Sequence, residues 1–178
     1  MSATVVYESV YGNTRAIAEA IAEGLGDAEV VPVFEAPERV LESDLLVVGG
    51  PTHMHGLTTT HSRQMAVEAV HEDGGHVEPG AARTPGLRAW LRDLTTEEGA
   101  LAAAFDTRGD KSPWLTGAAS RGIAKRLRDR GYDVVSRQSF LVVDSDGPLA
   151  QGELDRARDW GRRLATLLPV GTTVESAP

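Results

Sequence analysis

Apolar side chains occur along this chain in two alternating patterns. In the first pattern, apolar positions recur every three or four residues, as at Ile17, Ile21 and Leu25, and this spacing predicts helices. In the second pattern, which alternates with the first, apolar residues are consecutive. The consecutive runs are short and rich in β-branched or aliphatic side chains, and they predict five strands, at residues 4–7, 30–34, 44–51, 101–105 and 134–143. Strands that alternate with helices predict a parallel sheet covered by helices on both faces.

The helical pattern occurs in five places. It predicts helices at residues 14–25, 37–41, 85–94, 116–130 and 154–168. Gly24 and Gly26 are expected to end the first helix, and we expect the last strand to be interrupted around Arg137. At 178 residues the chain has the length of one domain, which we place at residues 1–170, with a frayed tail at 171–178.

One segment, residues 52–84, is longer than a simple connection between a strand and a helix. It contains all five histidines, and we interpret it as an inserted or elongated loop that holds a short helix at 63–70 and serves as a lid or binding surface. His53, His55 and His61 raise the possibility of a metal site. Catalytic zinc needs three convergent ligands, and the sequence has no H-E-x-x-H motif, so we expect polar histidines and no metal.

The charge is unevenly distributed. The chain has 26 acidic and 18 basic side chains, and residues 1–60 hold nine of the acids against two bases, a net charge of −7. Such a field repels nucleic acid and anionic lipid and attracts a basic partner. No cysteine is present, and no apolar run approaches the roughly 18 residues of a membrane span. We expect a cytoplasmic protein that binds neither nucleic acid nor membrane.

Ligands of open parallel sheets bind beyond the carboxyl ends of the strands, which directs attention to the loops there. The loop after the first strand offers hydroxyl and amide donors at Ser9, Asn13 and Thr14, with Gly12 for a tight turn. Together with the amino end of the next helix, these groups can hold a phosphate. Capping of the helix by Asn13 or Thr14 is the alternative. The nucleotide motifs G-x-x-x-x-G-K-[ST] and G-x-G-x-x-G are absent from the sequence.

The segment Ser9-Val10-Tyr11-Gly12-Asn13-Thr14 resembles the phosphate loop of flavodoxins, [ST]-x-[TY]-G-[NT]-T. The resemblance extends to residues 47–52 and 104–108 and to the order of the elements, so it covers nearly the whole chain. We expect flavodoxin-like proteins of actinobacteria to be the most similar. The resemblance implies a flavodoxin-like, doubly wound sheet of five parallel strands in the order 2-1-3-4-5. It also implies noncovalent binding of FMN.

The same resemblance assigns three loops to the cofactor. The first holds the phosphate and consists of Ser9, Val10, Tyr11, Gly12, Asn13 and Thr14. The second covers one face of the flavin ring and consists of Pro51, Thr52, His53, Met54, His55 and Gly56. The third reads the polar edge of the ring and consists of Asp106, Thr107 and Arg108. His55 is the expected ring contact and Gly56 the expected site of a peptide flip. Trp114 either covers the other face of the ring or packs its loop onto the sheet.

The resemblance implies an electron-transfer protein that carries electrons between a reductase and an acceptor, with a basic redox partner and no catalytic side chain. Two alternatives stay open. The long segment 52–84 favours an FMN-dependent NAD(P)H:quinone oxidoreductase, and the lack of an aromatic side chain at 53–55 favours a flavin-free binding module. We also expect Glu8, Glu35 and Glu38 to lower the reduction potential of the flavin and to form a docking face.

Overall fold

The computed structural model describes residues 2–26, 28–40, 43–53, 56–73, 77–96, 99–110, 117–144 and 146–168, with the backbone alone for 69–73. Within these ranges the strands are β1 Ala3–Tyr7, β2 Ala28–Pro32, β3 Leu45–His53, β4 Gly56–Leu57, β5 Leu101–Gly109 and β6 Asp133–Val142. The helices are α1 Asn13–Leu25, α2 Thr60–Asp73, α3 Leu87–Asp93, α4 Ala119–Asp129 and α5 Glu153–Ala165.

Five of the strands form one parallel sheet in the order β2-β1-β3-β5-β6. The short strand β4 pairs antiparallel with the end of β3 and stands outside this order. The predicted order 2-1-3-4-5 is therefore confirmed for the parallel strands. The register places Tyr7 beside Gly49, and Pro51 beside Thr107, so the carboxyl ends of β1, β3 and β5 lie at one edge of the sheet.

Successive residues of each central strand pack into two separate hydrophobic cores. Val5 and Val47 face α1 and α5, whereas Val6 and Val48 face α3 and α4. Phe105, Phe140 and Trp160 form an edge-to-face aromatic cluster in the first core, with ring centroids 6.1 to 6.4 Å apart. This alternation is the reason that the strands are apolar on both faces.

The helix predicted at 37–41 is wrong for the part of that range the structure describes. Residues 37–40 form an irregular segment in which Arg39 makes an isolated bridge with Thr95. The carbonyl of Pro37 accepts a hydrogen bond from Trp90 Nε1 at 2.9 Å, and that of Glu38 accepts one from Thr95 N at 2.8 Å. These carbonyls therefore bond to the α3 region and do not begin a helical ladder.

Other boundaries also differ from the prediction. Strand β6 runs unbroken from Asp133 to Val142, and its irregularity is a bulge at Val135, not an interruption around Arg137. Helix α2 begins at Thr60, three residues before the predicted helix. The backbone N–H of Ser62 donates to Thr59 Oγ1 at 3.0 Å, and the N–H of Thr59 donates to Ser62 Oγ at 2.8 Å, a reciprocal cap that fixes this start. The tail predicted at 171–178 lies outside the described residues.

Candidate functional site

Hydrogen bonds join the first turn of α1 to strand β5 and to the segment that follows β6. The hydroxyls of Thr14 and Thr107 are 2.8 Å apart and buried. Asn13 Nδ2 donates to the carbonyl of Asp146 at 2.9 Å. Because both Thr14 and Asn13 lie in the first turn of α1, these contacts fix the amino end of α1 over the edge of the sheet.

The loop between β1 and α1 is shaped by Gly12, whose φ of 90° lies in the left-handed region that favours glycine. The N–H of Gly12 donates to Ser9 Oγ at 3.1 Å, and Ser9 is buried. The first helical bond runs from Ala16 N to the Gly12 carbonyl at 2.9 Å. The amides that follow Gly12 in the first turn therefore have no acceptor within the helix. The N-cap of this helix is Gly12, and the side chains of Asn13 and Thr14 bond instead to the carbonyl of Asp146 and to Thr107 of β5. The capping alternative is thus wrong.

Ionisable side chains surround this loop. Burial raises the pKa of Tyr11, and the charge of Asp146 raises it further, so the phenol stays neutral at physiological pH. Arg15 donates to Glu19 at 2.8 Å and to Glu78 at 3.3 Å. These two carboxylates raise the pKa of Arg15, with Glu19 contributing more. The one basic side chain in the first turn of α1 is therefore shared between two acids.

The second predicted loop joins β3 to β4, with His53 paired to Gly56. Pro51 and Thr52 are half-buried and His53 is exposed, while Met54 and His55 lie outside the described residues. Gly56 is not among the glycines with positive φ, and a Cβ there would meet nothing within 4 Å. The contact of His55 with the ring and the peptide flip at Gly56 stay predictions.

Two polar residues expected in the ring loops cap helix α4. The hydroxyl of Thr52 accepts a hydrogen bond from Ala119 N at 2.9 Å, and Asp106 Oδ2 accepts one from Ser120 N at 2.7 Å. Asp106 is fully buried, and its Oδ1 has no hydrogen-bond partner among the described residues. The sequence pattern does not predict this arrangement, because the two caps come from different strands, and Thr52 lies 67 residues before Ala119 in the sequence.

The residues predicted for the third loop, Asp106, Thr107 and Arg108, lie in strand β5, which ends at Gly109 and not at the predicted Phe105. Thr107 is buried against Thr14, and Arg108 donates from Nη1 to the carbonyl of Gly109 at 3.3 Å. Strand β5 pairs with β3 as far as Thr107 and with β6 as far as Gly109. Beyond Thr107, the described part of β5 therefore pairs with β6 and no longer with β3. Trp114 lies outside the described residues.

A buried ion pair lies beside the phosphate loop. Glu8 follows β1 and is 4% exposed, and Arg63 of α2 is 2% exposed. Arg63 Nη1 donates to Glu8 Oε2 at 3.0 Å, Leu87 N donates to the same oxygen at 2.7 Å, and the hydroxyl of Thr58 donates to Glu8 Oε1. The expectation that Glu8 belongs to an acidic surface is therefore wrong.

A cavity of about 230 Å³ lies where β1 and β2 end. Tyr7, Phe34, Arg63, Glu78 and Arg83 are among its lining residues. Burial raises the pKa of Tyr7, with the charge of Arg15 acting in the opposite direction. Because this cavity lies on the β2 side of β1, it is separate from the predicted ring loops, which follow β3 and β5.

A model of the flavodoxin family matches residues 5–160. The chain belongs to the flavodoxin family. Among solved structures, an archaeal flavodoxin is 22% identical, with 94% of this chain and 98% of that chain covered and a TM-score of 0.57. Oxidised flavodoxin 1 from Bacillus cereus is 17% identical over 95% and 100% of the two chains, with a TM-score of 0.63. Fusobacterium nucleatum flavodoxin bound to flavin mononucleotide is 12% identical over 94% and 99%, with a TM-score of 0.56.

These structural similarities establish the flavodoxin fold. No curated protein sequence matches the chain. The expected closeness to actinobacterial proteins stays a prediction. In the part of the chain that the structure describes, no helix is long and apolar enough to cross a membrane. The same described residues contain no group of three or more His, Asp or Glu side chains placed to hold a metal ion.

The residues of this flavodoxin fit the phosphate of FMN better than they fit its ring. Ser9 and the first-turn amides of α1 offer hydrogen-bond donors around the tight turn at Gly12. The second loop has no phenyl, phenol or indole side chain between Pro51 and Gly56. An imidazole or a thioether there has less stacking area than an indole. The phosphate loop is therefore the part of the site with the clearest chemistry.

Proposed function

We propose that this flavodoxin binds FMN noncovalently and transfers electrons between a reductase and an acceptor. The observation that carries the proposal is the loop between β1 and α1. There the donors of Ser9 and Thr14 and the first-turn amides of α1 meet at the edge where β1, β3 and β5 end. When bound, FMN supplies the one-electron and two-electron chemistry. The protein supplies binding, orientation and electrostatics.

In this proposal the loop from Ser9 to Thr14 holds the phosphate with hydroxyl and amide donors. The ring lies between residues 51–56 and 106–108. Because the side chains of Thr52 and Asp106 cap α4, they contribute to the site by fixing the position of that helix. Recognition of the polar edge of the ring then falls to backbone groups at the end of β5, beyond its last pair with β3.

Titration of the purified protein with FMN and with riboflavin tests the proposal, by visible absorbance and quenching of flavin fluorescence. We expect FMN to bind more tightly than riboflavin, because only FMN carries the phosphate. Thr14→Val removes one hydroxyl at nearly constant volume and should weaken FMN binding about tenfold or more, the usual effect of losing a hydrogen bond to a charged group. Thr14→Ser retains the hydroxyl and should bind nearly as the parent does.

A protein that takes up neither flavin would contradict the proposal and favour the flavin-free binding module. Equal affinities for FMN and riboflavin would contradict the assignment of the phosphate loop. Anaerobic mixing of the FMN-loaded protein with NADPH separates electron transfer from the oxidoreductase alternative. We expect slow direct reduction, and fast reduction would favour the quinone oxidoreductase.

The proposed partner is a basic redox protein. Glu35 and Glu38 are exposed and follow the carboxyl end of β2, at the same edge of the sheet as the phosphate loop. Negative charge at this edge supports docking of a basic surface. A cytoplasmic location stays a prediction from the cysteine-free composition.

A further inference from the structure

Glu78 holds a carboxylate against the loop that we assign to the phosphate of FMN. Its backbone N–H donates to the carbonyl of Val10 at 2.8 Å. A Cβ built on Gly12 would lie 3.0 Å from Glu78 Oε1, so the carboxylate is in contact with the glycine of the turn. Its other oxygen, Oε2, pairs with Arg15 Nη1 at 3.3 Å. The side chain is only 14% exposed, so the carboxylate is enclosed beside the amino end of α1.

The segment that carries Glu78 is itself held by the fold. The N–H of Ala81 donates to the carbonyl of Glu78 at 3.0 Å. Gly80 has a φ of 91°, and a Cβ there would lie 2.6 Å from the ring of Phe34, so the backbone packs directly on that ring. The guanidinium of Arg83 lies 4.5 Å from the centroid of the same ring. The position of Glu78 is thus set by its neighbours.

The amino end of a helix attracts any anion, whether it is a carboxylate or a phosphate. In this protein the end of α1 already has Glu78 beside Gly12. Arg15, which could offset a second anion, is paired with both Glu19 and Glu78. A phosphate that enters the loop therefore meets the Glu78 carboxylate beside Gly12, and the guanidinium of Arg15 is already paired with two carboxylates.

We propose that Glu78 is a specificity-determining residue that lowers the affinity of the loop for a phosphate group. This inference rests on the proposed function and concerns the same site. Glu78 competes with the ligand for the positive end of α1 and for Arg15. The loop then binds a phosphorylated flavin more weakly than its donors alone would allow, while the affinity for an uncharged flavin is unaffected.

Glu78→Gln tests the inference, because glutamine keeps the size of the side chain and the backbone contact with Val10. Glu19→Gln is the matched control, because it also removes one carboxylate from Arg15. The side chain of Glu19 is half-exposed on α1. Each variant is titrated with FMN, riboflavin and inorganic phosphate, with thermal unfolding as a check on folding. We expect Glu78→Gln to bind FMN and inorganic phosphate about tenfold more tightly and riboflavin unchanged. Glu19→Gln should gain less than about threefold.

Each outcome separates this inference from the proposed function. If the parent binds FMN and Glu78→Gln binds it equally well, the inference is overturned and the proposed function stands. An equal gain in Glu19→Gln would assign the effect to Arg15 and also overturn the inference. Uptake of FMN by Glu78→Gln alone would support it. If no variant binds FMN, the proposed function fails. In that case a tighter complex of Glu78→Gln with inorganic phosphate supports the inference, and an unchanged one overturns it.

Discussion

Glu8 and Arg63 are the charged side chains that connect the long segment after β3 to the sheet. Both are buried, and the Glu8 carboxylate receives hydrogen bonds from Arg63, Thr58 and the backbone of Leu87. A Cβ on Gly86 would lie 2.0 Å from Arg63 Nη1, so the guanidinium is packed directly against the backbone just before α3. The pair therefore fixes α2, the start of α3 and the end of β1 together.

Arg63→Met should lower the free energy of unfolding by about 3 to 5 kcal/mol, because it leaves the buried carboxylate of Glu8 without its cation. Arg83→Met is the matched control. Arg83 also lines the cavity at the ends of β1 and β2, but its side chain is 64% exposed and lies 3.7 Å from Glu35. It should lose about 1 kcal/mol or less. Urea unfolding of both variants measures the difference, and equal losses would contradict the structural role of Arg63.

At the scale of elements, α1 and α5 are in close contact through two glycines. A Cβ on Gly24 would lie 2.1 Å from the carbonyl oxygen of Arg158, and a Cβ on Gly161 would lie 2.3 Å from that of Ile21. No side chain fits at such distances, so the two helix backbones are in direct contact. Gly24 belongs to this contact and does not end the helix, which continues to Leu25 and is followed by Gly26.

Gly161→Ala should therefore destabilise the protein, although alanine is the better helix former by about 1 kcal/mol. We expect a loss of about 2 kcal/mol or more, because the helices must separate. Gly122→Ala in α4 is the control, since a Cβ there would meet only the flexible end of Arg126 at 3.3 Å and Leu57 at 3.5 Å. It should be neutral or slightly stabilising. Thermal or urea unfolding decides, and the same sign for both variants would contradict the glycine contact.

The contrast between Gly24 and Gly12 shows what the sequence could predict. Gly12 belongs to a contiguous motif, and the local pattern predicts its turn and the helix that follows. General rules for parallel sheets predict the strand order. The role of Gly24 depends on α5, more than a hundred residues away. Arg63 and Glu8 are likewise far apart in sequence, as are Thr52 and the start of α4. No spacing within one segment records such contacts, and periodicity therefore missed them.

At the scale of the whole molecule, the acidic side chains of residues 1–60 lie in several distinct local environments. Glu8 is buried and paired with Arg63. Glu19 pairs with Arg15 at 2.8 Å, and Glu23 pairs with Arg158 at 2.5 Å. Glu35 lies only loosely near Arg83, at 3.7 Å, and Glu38 is exposed. The charge that a partner would meet beside the phosphate loop is therefore concentrated at Glu35 and Glu38, and not at Glu8.

Replacing both of these residues, Glu35→Gln with Glu38→Gln, should slow association with a basic redox protein about tenfold at low ionic strength. The same change also leaves Arg83 without its nearby carboxylate, which adds to the repulsion of a basic surface.

The matched control, Asp155→Asn with Asp159→Asn, removes two exposed charges from α5 instead of from the loop after β2. Stopped-flow association rates measured from low to high salt compare the two pairs. If docking uses the face beside the phosphate loop, Glu35→Gln with Glu38→Gln slows association more than the control pair does. This difference in rate disappears at about 1 M salt, because charges are then screened beyond roughly 3 Å. Equal effects of the two pairs would mean that only the net charge of the molecule steers the partner.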